Sequence, residues 1–114
     1  MPSFLPIFAL KFACIKGDID AFPEGINTYL YDFGSGLSEG QLQRVAIARL
    51  ILADRQVIVL DEATSALDSK LEEQVLINLK SLNKTIIFIS HKKLTSSFAD
   101  KILTIDRGVV TDAK

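Results

Sequence analysis

Val57-Ile58-Val59-Leu60-Asp61-Glu62 joins an apolar, mostly β-branched run to a pair of acids. Such a run suits a strand covered on both faces, as in a parallel sheet. Ligands of open α/β sheets bind beyond the carboxyl ends of the strands, which is where these acids stand. Neighbouring residues in extended chain point opposite ways, so Asp61 and Glu62 are free to do separate jobs. One can face a Mg²⁺ shell while the other orients a water. The plainer alternative is that both acids leave the sheet and cap the next turn.

Downstream, Ser69-x-x-Glu72 has the pattern of a capping box and opens a helix. Leu71, Val75, Leu76, Leu79 and Leu82 give that helix one apolar stripe. Thr85–Ile89 reads as a second buried strand and Lys101–Ile105 as a third, all three expected to be parallel. Arg107-Gly108 reads as a hairpin turn into Val109-Val110. Strands alternating with helices predict an α/β domain with a mainly parallel sheet and flanking helices. His91 follows the second strand and so falls on the same edge as Asp61 and Glu62. A lone His is either structural or catalytic, and its place at a strand's carboxyl end admits both readings. Asp68, in Ser65-Ala66-Leu67-Asp68, reads as an ordinary helix-start acid.

Upstream, Ser38-x-x-Gln41 is a second capping box, and the helix it opens runs to about Ala53. Leu42, Val45, Ala46, Ile47, Ala48, Leu50, Ile51 and Leu52 are apolar almost all round, which predicts a largely buried helix. Its start, Leu37-Ser38-Glu39-Gly40-Gln41, combines free amides, a positive dipole end and a glycine that lets an anion approach. That makes a phosphate-reading surface, or simply a capped helix. Before it come the hinge Gly34-Ser35-Gly36, the aromatic stretch Tyr29–Phe33 and a break at Pro23-Glu24-Gly25. Leu10–Phe22 is expected to be a short helix, with Phe12, Ala13, Ile15 and Ile19 as its apolar positions.

The chain has 114 residues, 48% apolar and 24% charged, with a formal net charge of −1, which fits one small globular domain. No Lys/Arg cluster marks a nucleic-acid surface. Cys14 has no partner for an intrachain disulfide and reads as a small core hydrophobe in a reduced compartment. No apolar run approaches the ~18 residues that span a bilayer. Met1–Leu10 is apolar but lacks a basic start and holds Pro2 and Pro6, so it reads as neither signal peptide nor anchor.

These motifs, in this order and spacing, resemble one family, the ATP-binding domain of ABC transporters. Leu37-Ser38-Glu39-Gly40-Gln41 resembles the signature, with Glu39 where the family usually has Gly. Val57–Glu62 resembles Walker B, Ser65–Asp68 the D-loop, and His91 the switch histidine. Phe22–Thr28 and Asp32-x-Gly34 look like the exporter branch, with Asp32 near a Glu of the family. The resemblance covers about Leu10 to Val110 and implies part of a P-loop NTPase fold. Residues 1–36 would end the helical subdomain, with 1–9 a family-unlike junction. Residues 37–114 would be the signature helix and the C-terminal part of the ATPase core.

By the same resemblance Asp61 would hold Mg²⁺ through water. Glu62 would act as general base and His91 would contact the γ-phosphate. Ser38 and Gly40, supported by Gln41, would contact ATP bound to a second ATP-binding domain in a head-to-tail dimer, with Asp68 at that interface. The other implied partner is a transmembrane transport domain, which places the chain at the cytoplasmic face of a membrane. No G-x-x-x-x-G-K-[ST] occurs in these residues, and that loop supplies the amides and Lys that cradle phosphates. The 114 residues alone are therefore expected not to turn over ATP. Two readings follow: part of an exporter ATPase, or a non-catalytic module presenting the signature to ATP held elsewhere.

Overall fold

A computed structural model describes residues 4–28 and 36–113. The elements run α1 (Phe4–Phe12), α2 (Lys16–Asp20), a 3₁₀ turn (Gly25–Asn27), α3 (Glu39–Ala53), β1 (Val57–Asp61), α4 (Ser69–Lys80), β2 (Thr85–Ile89), α5 (Lys93–Phe98), β3 (Leu103–Asp106) and β4 (Val109–Asp112). The stretch Tyr29–Phe33, Asp32 and most of the Gly34–Gly36 hinge lie outside the described residues.

The helix expected over Leu10–Phe22 is two helices, and the first starts earlier. Pro6 falls in the first turn of α1, where no amide has an intrahelical acceptor, so its missing N–H costs no hydrogen bond. The break falls at Cys14, whose φ of 61° no α-helix accommodates. Ala9, Ala13 and Ile15 are then turned fully into the core.

β1 and β2 pair in parallel, Val57 against Thr85 through Asp61 against Ile89. α4 makes the crossover between them. Ile58 and Leu60 are buried with Ile47, Ala48, Val75 and Leu79, and Ile86 and Phe88 pack on the same cluster. The other face is bare: Val57, Val59, Ile87 and Ile89 are each about half exposed. The expectation of a strand covered on both faces is therefore corrected. An uninterrupted apolar run permits burial on two faces, and here helices cover one.

The expected third parallel strand is also corrected. β3 does not join β1–β2; it pairs antiparallel with β4, Leu103 against Asp112 through Asp106 against Val109. Arg107 at φ 50° and Gly108 at φ 77° supply the paired positive angles of a tight hairpin turn. Such a turn matches the strand twist and favours local closure over a distant partner. α3, apolar almost all round and so expected to be largely buried, buries only Arg44, Ile47 and Ala48. Among the described residues, no helix is long and apolar enough to cross a membrane.

Candidate active site

The parallel register carries β1 and β2 to one carboxyl edge, and Asp61, Glu62 and His91 gather there. Asp61 ends β1 on the uncovered face, exposed to solvent. Glu62 leaves the strand at φ 52°, a left-handed angle that reorients the chain after β1. Its amide still donates to the Ile89 carbonyl at 2.8 Å, extending the ladder one step. Glu62 Oε1 lies 3.5 Å from His91 Nε2, the histidine side chain being 97% exposed. That spacing is loose for a hydrogen bond, and catalytic contacts commonly tighten only around substrate. Among the described residues, no three His, Cys, Asp or Glu side chains gather to hold a metal.

The start of α3 is capped as expected. Ser38 Oγ accepts from Gln41 N at 3.1 Å, and Gln41 Oε1 accepts from Ser38 N at 2.9 Å. Among the described residues no acceptor takes the Ser38 hydroxyl proton, and the next amides have no intrahelical acceptor. Gln41 Nε2 donates inward to Asp18 at 3.1 Å, so that side chain braces the turn. Gly40 meets a packing constraint in addition to the anion approach read in the sequence. A Cβ there would stand 3.2 Å from the Ala66 carbonyl and 3.3 Å from Leu67 Cδ2. The glycine lets α3 lie against the Ser65–Asp68 turn. Asp68, not Ser69, caps α4, accepting from Leu71 N at 2.9 Å. The Ser69–Glu72 capping box is therefore corrected. Glu72 has no part in the cap: its carboxylate is 1% exposed and held by Lys92 Nζ and Thr95 Oγ1, at 2.5 and 3.1 Å.

Comparison with known proteins bears on this arrangement. Residues 20–65 match the sequence pattern of the family described as ABC transporter. The transport/processing ATP-binding protein ComA of Streptococcus pneumoniae is 40% identical over 91% of this chain, and that match covers 14% of ComA. The lipid A-core flippase of Shewanella frigidimarina is 44% identical over 93% of the chain and 18% of its own length. A bacterial Atm1-family ABC exporter solved with ATP bound superposes with a TM-score of 0.88 at 35% identity, over 93% of this chain and 19% of that one. The chain belongs to the ABC transporter family. It is an α/β piece of the ABC ATP-binding domain, and it spans less than a fifth of the length of these relatives.

Several residues that shape this ABC site were not singled out in the sequence. Arg44, 7% exposed, donates to the Cys14 carbonyl at 2.6 Å, the Gly40 carbonyl at 3.2 Å and Asp18 at 3.0 Å. It thereby fastens α2 to the signature helix. An Arg inside an almost wholly apolar helix was the available signal, because a buried guanidinium needs partners. Lys92 Nζ also takes the carbonyls of Thr64 at 2.8 Å and Leu67 at 2.9 Å, pinning the turn after Glu62. Nothing in the sequence marked it beyond its place after His91.

Proposed function

We propose that this chain supplies the signature helix, the Walker B strand and the switch histidine of an exporter ATPase that couples ATP hydrolysis to transmembrane transport. The observation that carries this reading is the meeting of Glu62 and His91 at the carboxyl edge of β1–β2, 3.5 Å apart. Glu62 would take up a proton from an attacking water, and His91 would orient that carboxylate and reach a terminal phosphate. Asp61 would hold Mg²⁺ through its water shell, and the ion would offset the charge on the phosphates. Ser38 and Gly40, with the free amides at the start of α3, would bind the terminal phosphate of ATP on a second ATP-binding domain, head to tail. Gln41 would brace them from Asp18, and Asp68 would lie at the dimer interface. A transmembrane domain would be the other partner, with the chain on the cytoplasmic side of the membrane. Residues 1–36 would belong to the helical subdomain and 37–114 to the ATPase core.

Phosphate release tests the reading. The 114 residues alone should give none above background, because positioning and charge do most of the work in phosphoryl transfer and the cradle is missing. Adding the P-loop half of an ABC exporter ATP-binding domain, fused or in trans, should restore turnover that vanishes on Glu62→Gln. Robust turnover by the isolated chain, or turnover that survives Glu62→Gln, would remove the assignment.

A further inference from the structure

A left-handed φ at a residue with a Cβ persists only where its surroundings hold it. Glu62 is such a residue, at φ 52°. Its carbonyl accepts from Ser65 N at 3.2 Å, a bond of the turn itself, and from Gln43 Nε2 at 3.2 Å. The same Nε2 donates to Ser65 Oγ at 2.9 Å, and Gln43 Oε1 accepts from Ala66 N at 3.0 Å. Both heads of one primary amide are thus spent on a single turn. Ala63 and Leu67, on either side, pack on the core, and Lys92 holds the Thr64 and Leu67 carbonyls; Ser65 and Ala66 are exposed, so at the middle of the turn and at the Glu62 carbonyl the side-chain hold is that of the half-buried Gln43.

We propose that Gln43 is a positioning residue that clamps the Glu62–Ala66 turn to α3 and fixes the backbone from which the Glu62 carboxylate meets His91. Because Ser38 sits at the start of α3, the clamp also joins two surfaces that face different nucleotides in the dimer. A shift of α3 caused by phosphate at Ser38 is carried to the Glu62 carbonyl through the Gln43 amide, beside the Gly40 contact that reaches Ala66 and Leu67 further along the turn. The catalytic half of this inference rests on the ATPase reading above; the clamp itself does not.

The experiment begins on the ¹⁵N-labelled 114-residue chain, comparing it with Gln43→Met and Gln43→Glu. Met keeps the length and loses all three bonds; Glu keeps the acceptor for Ala66 N and loses the donor for the Glu62 carbonyl. A left-handed residue gives a strong NOE between its own amide and α protons. In the unmutated chain Glu62 should show it. In Gln43→Met it should fall to the level of the extended Leu60 and Asp61, and the Ala66 amide should exchange about tenfold faster. In Gln43→Glu the Glu62 signal should fall while Ala66 stays protected. Exchange in the middle of α3 should not change, which distinguishes a lost clamp from a lost fold. An undiminished Glu62 NOE in Gln43→Met overturns the proposal. With the P-loop half added, Gln43→Met should lower kcat by about tenfold and leave KM for ATP unchanged; an unchanged kcat also overturns it. If the unmutated assembly is inert, the ATPase reading fails, and the NOE and exchange arms still decide the clamp.

Discussion

Lys92→Met removes one ammonium and keeps most of the aliphatic stem. The head it deletes makes contacts to the Thr64 and Leu67 carbonyls and to Glu72. Glu72 is left 1% exposed, with Thr95 Oγ1 its remaining partner at 3.1 Å. Removing one member of a buried ion pair typically costs about 3–5 kcal/mol, because the other charge stays behind unpaired. The Lys92 side chain is 31% exposed, so water can follow into the gap and the lower end applies, about 3 kcal/mol. Against the 5–15 kcal/mol that holds domains of this kind together, roughly speaking, that is a large share. Glu72→Leu on top of Lys92→Met should recover about 2 kcal/mol, since an apolar pair avoids the stranded charge. Urea unfolding at neutral pH reads both: the single variant should shift the midpoint by about 1–3 M with an unchanged slope. If the two substitutions simply add, or Lys92→Met costs under about 1 kcal/mol, the ion pair is not what holds this corner.

Gly40→Ala should destabilise by about 1 kcal/mol, although Ala gains about as much in helix propensity. The new Cβ meets the Ala66 carbonyl and Leu67 Cδ2, in a turn that Gln43 and Lys92 hold on two sides; a thermal melt showing stabilisation would mean that turn yields. Burial pushes the Cys14 thiol up, the nearby Arg44 charge opposing it more weakly. Its alkylation should therefore be slower at pH 8 in the folded chain than in urea. The sign for stability follows: the neutral thiol's contribution is complete below the ordinary thiol value of about 8.5 and fades as pH rises through the raised value. Urea midpoints of Cys14→Ala should lack that alkaline loss, and identical pH profiles would refute it.

Local structure is legible in the sequence where one element satisfies itself. The Ser38 box closed as written because Ser38 and Gln41 complete each other without outside help. The Arg107-Gly108 hairpin appeared for the same reason. The site edge was legible too, since strand direction alone brings Glu62 and His91 together. What failed was decided by remote partners. Ser69-x-x-Glu72 had the letters of a box, but Lys92, twenty residues on, claims the Glu72 carboxylate, and the cap moves back one residue to Asp68. The apolar letters of Val57–Leu60 did not say how many faces would be covered. Gln43 was invisible because a glutamine on a helix looks like any solvated residue until the turn it grips is known.

Between β2 and α5 the chain has only Ser90, His91 and Lys92. Ser90 Oγ accepts from Lys92 N and reaches Thr95 Oγ1, His91 projects into solvent, and Lys92 turns back to Glu72. Inward and outward directions thus alternate residue by residue, and the linker has a parity. Inserting one residue between Ile89 and His91 exchanges the roles: the imidazole would be driven toward a buried carboxylate and the ammonium toward water. Inserting two restores the phase at the cost of reach. Length variation here should therefore be read modulo two, a constraint on the segment that substitutions alone cannot reveal.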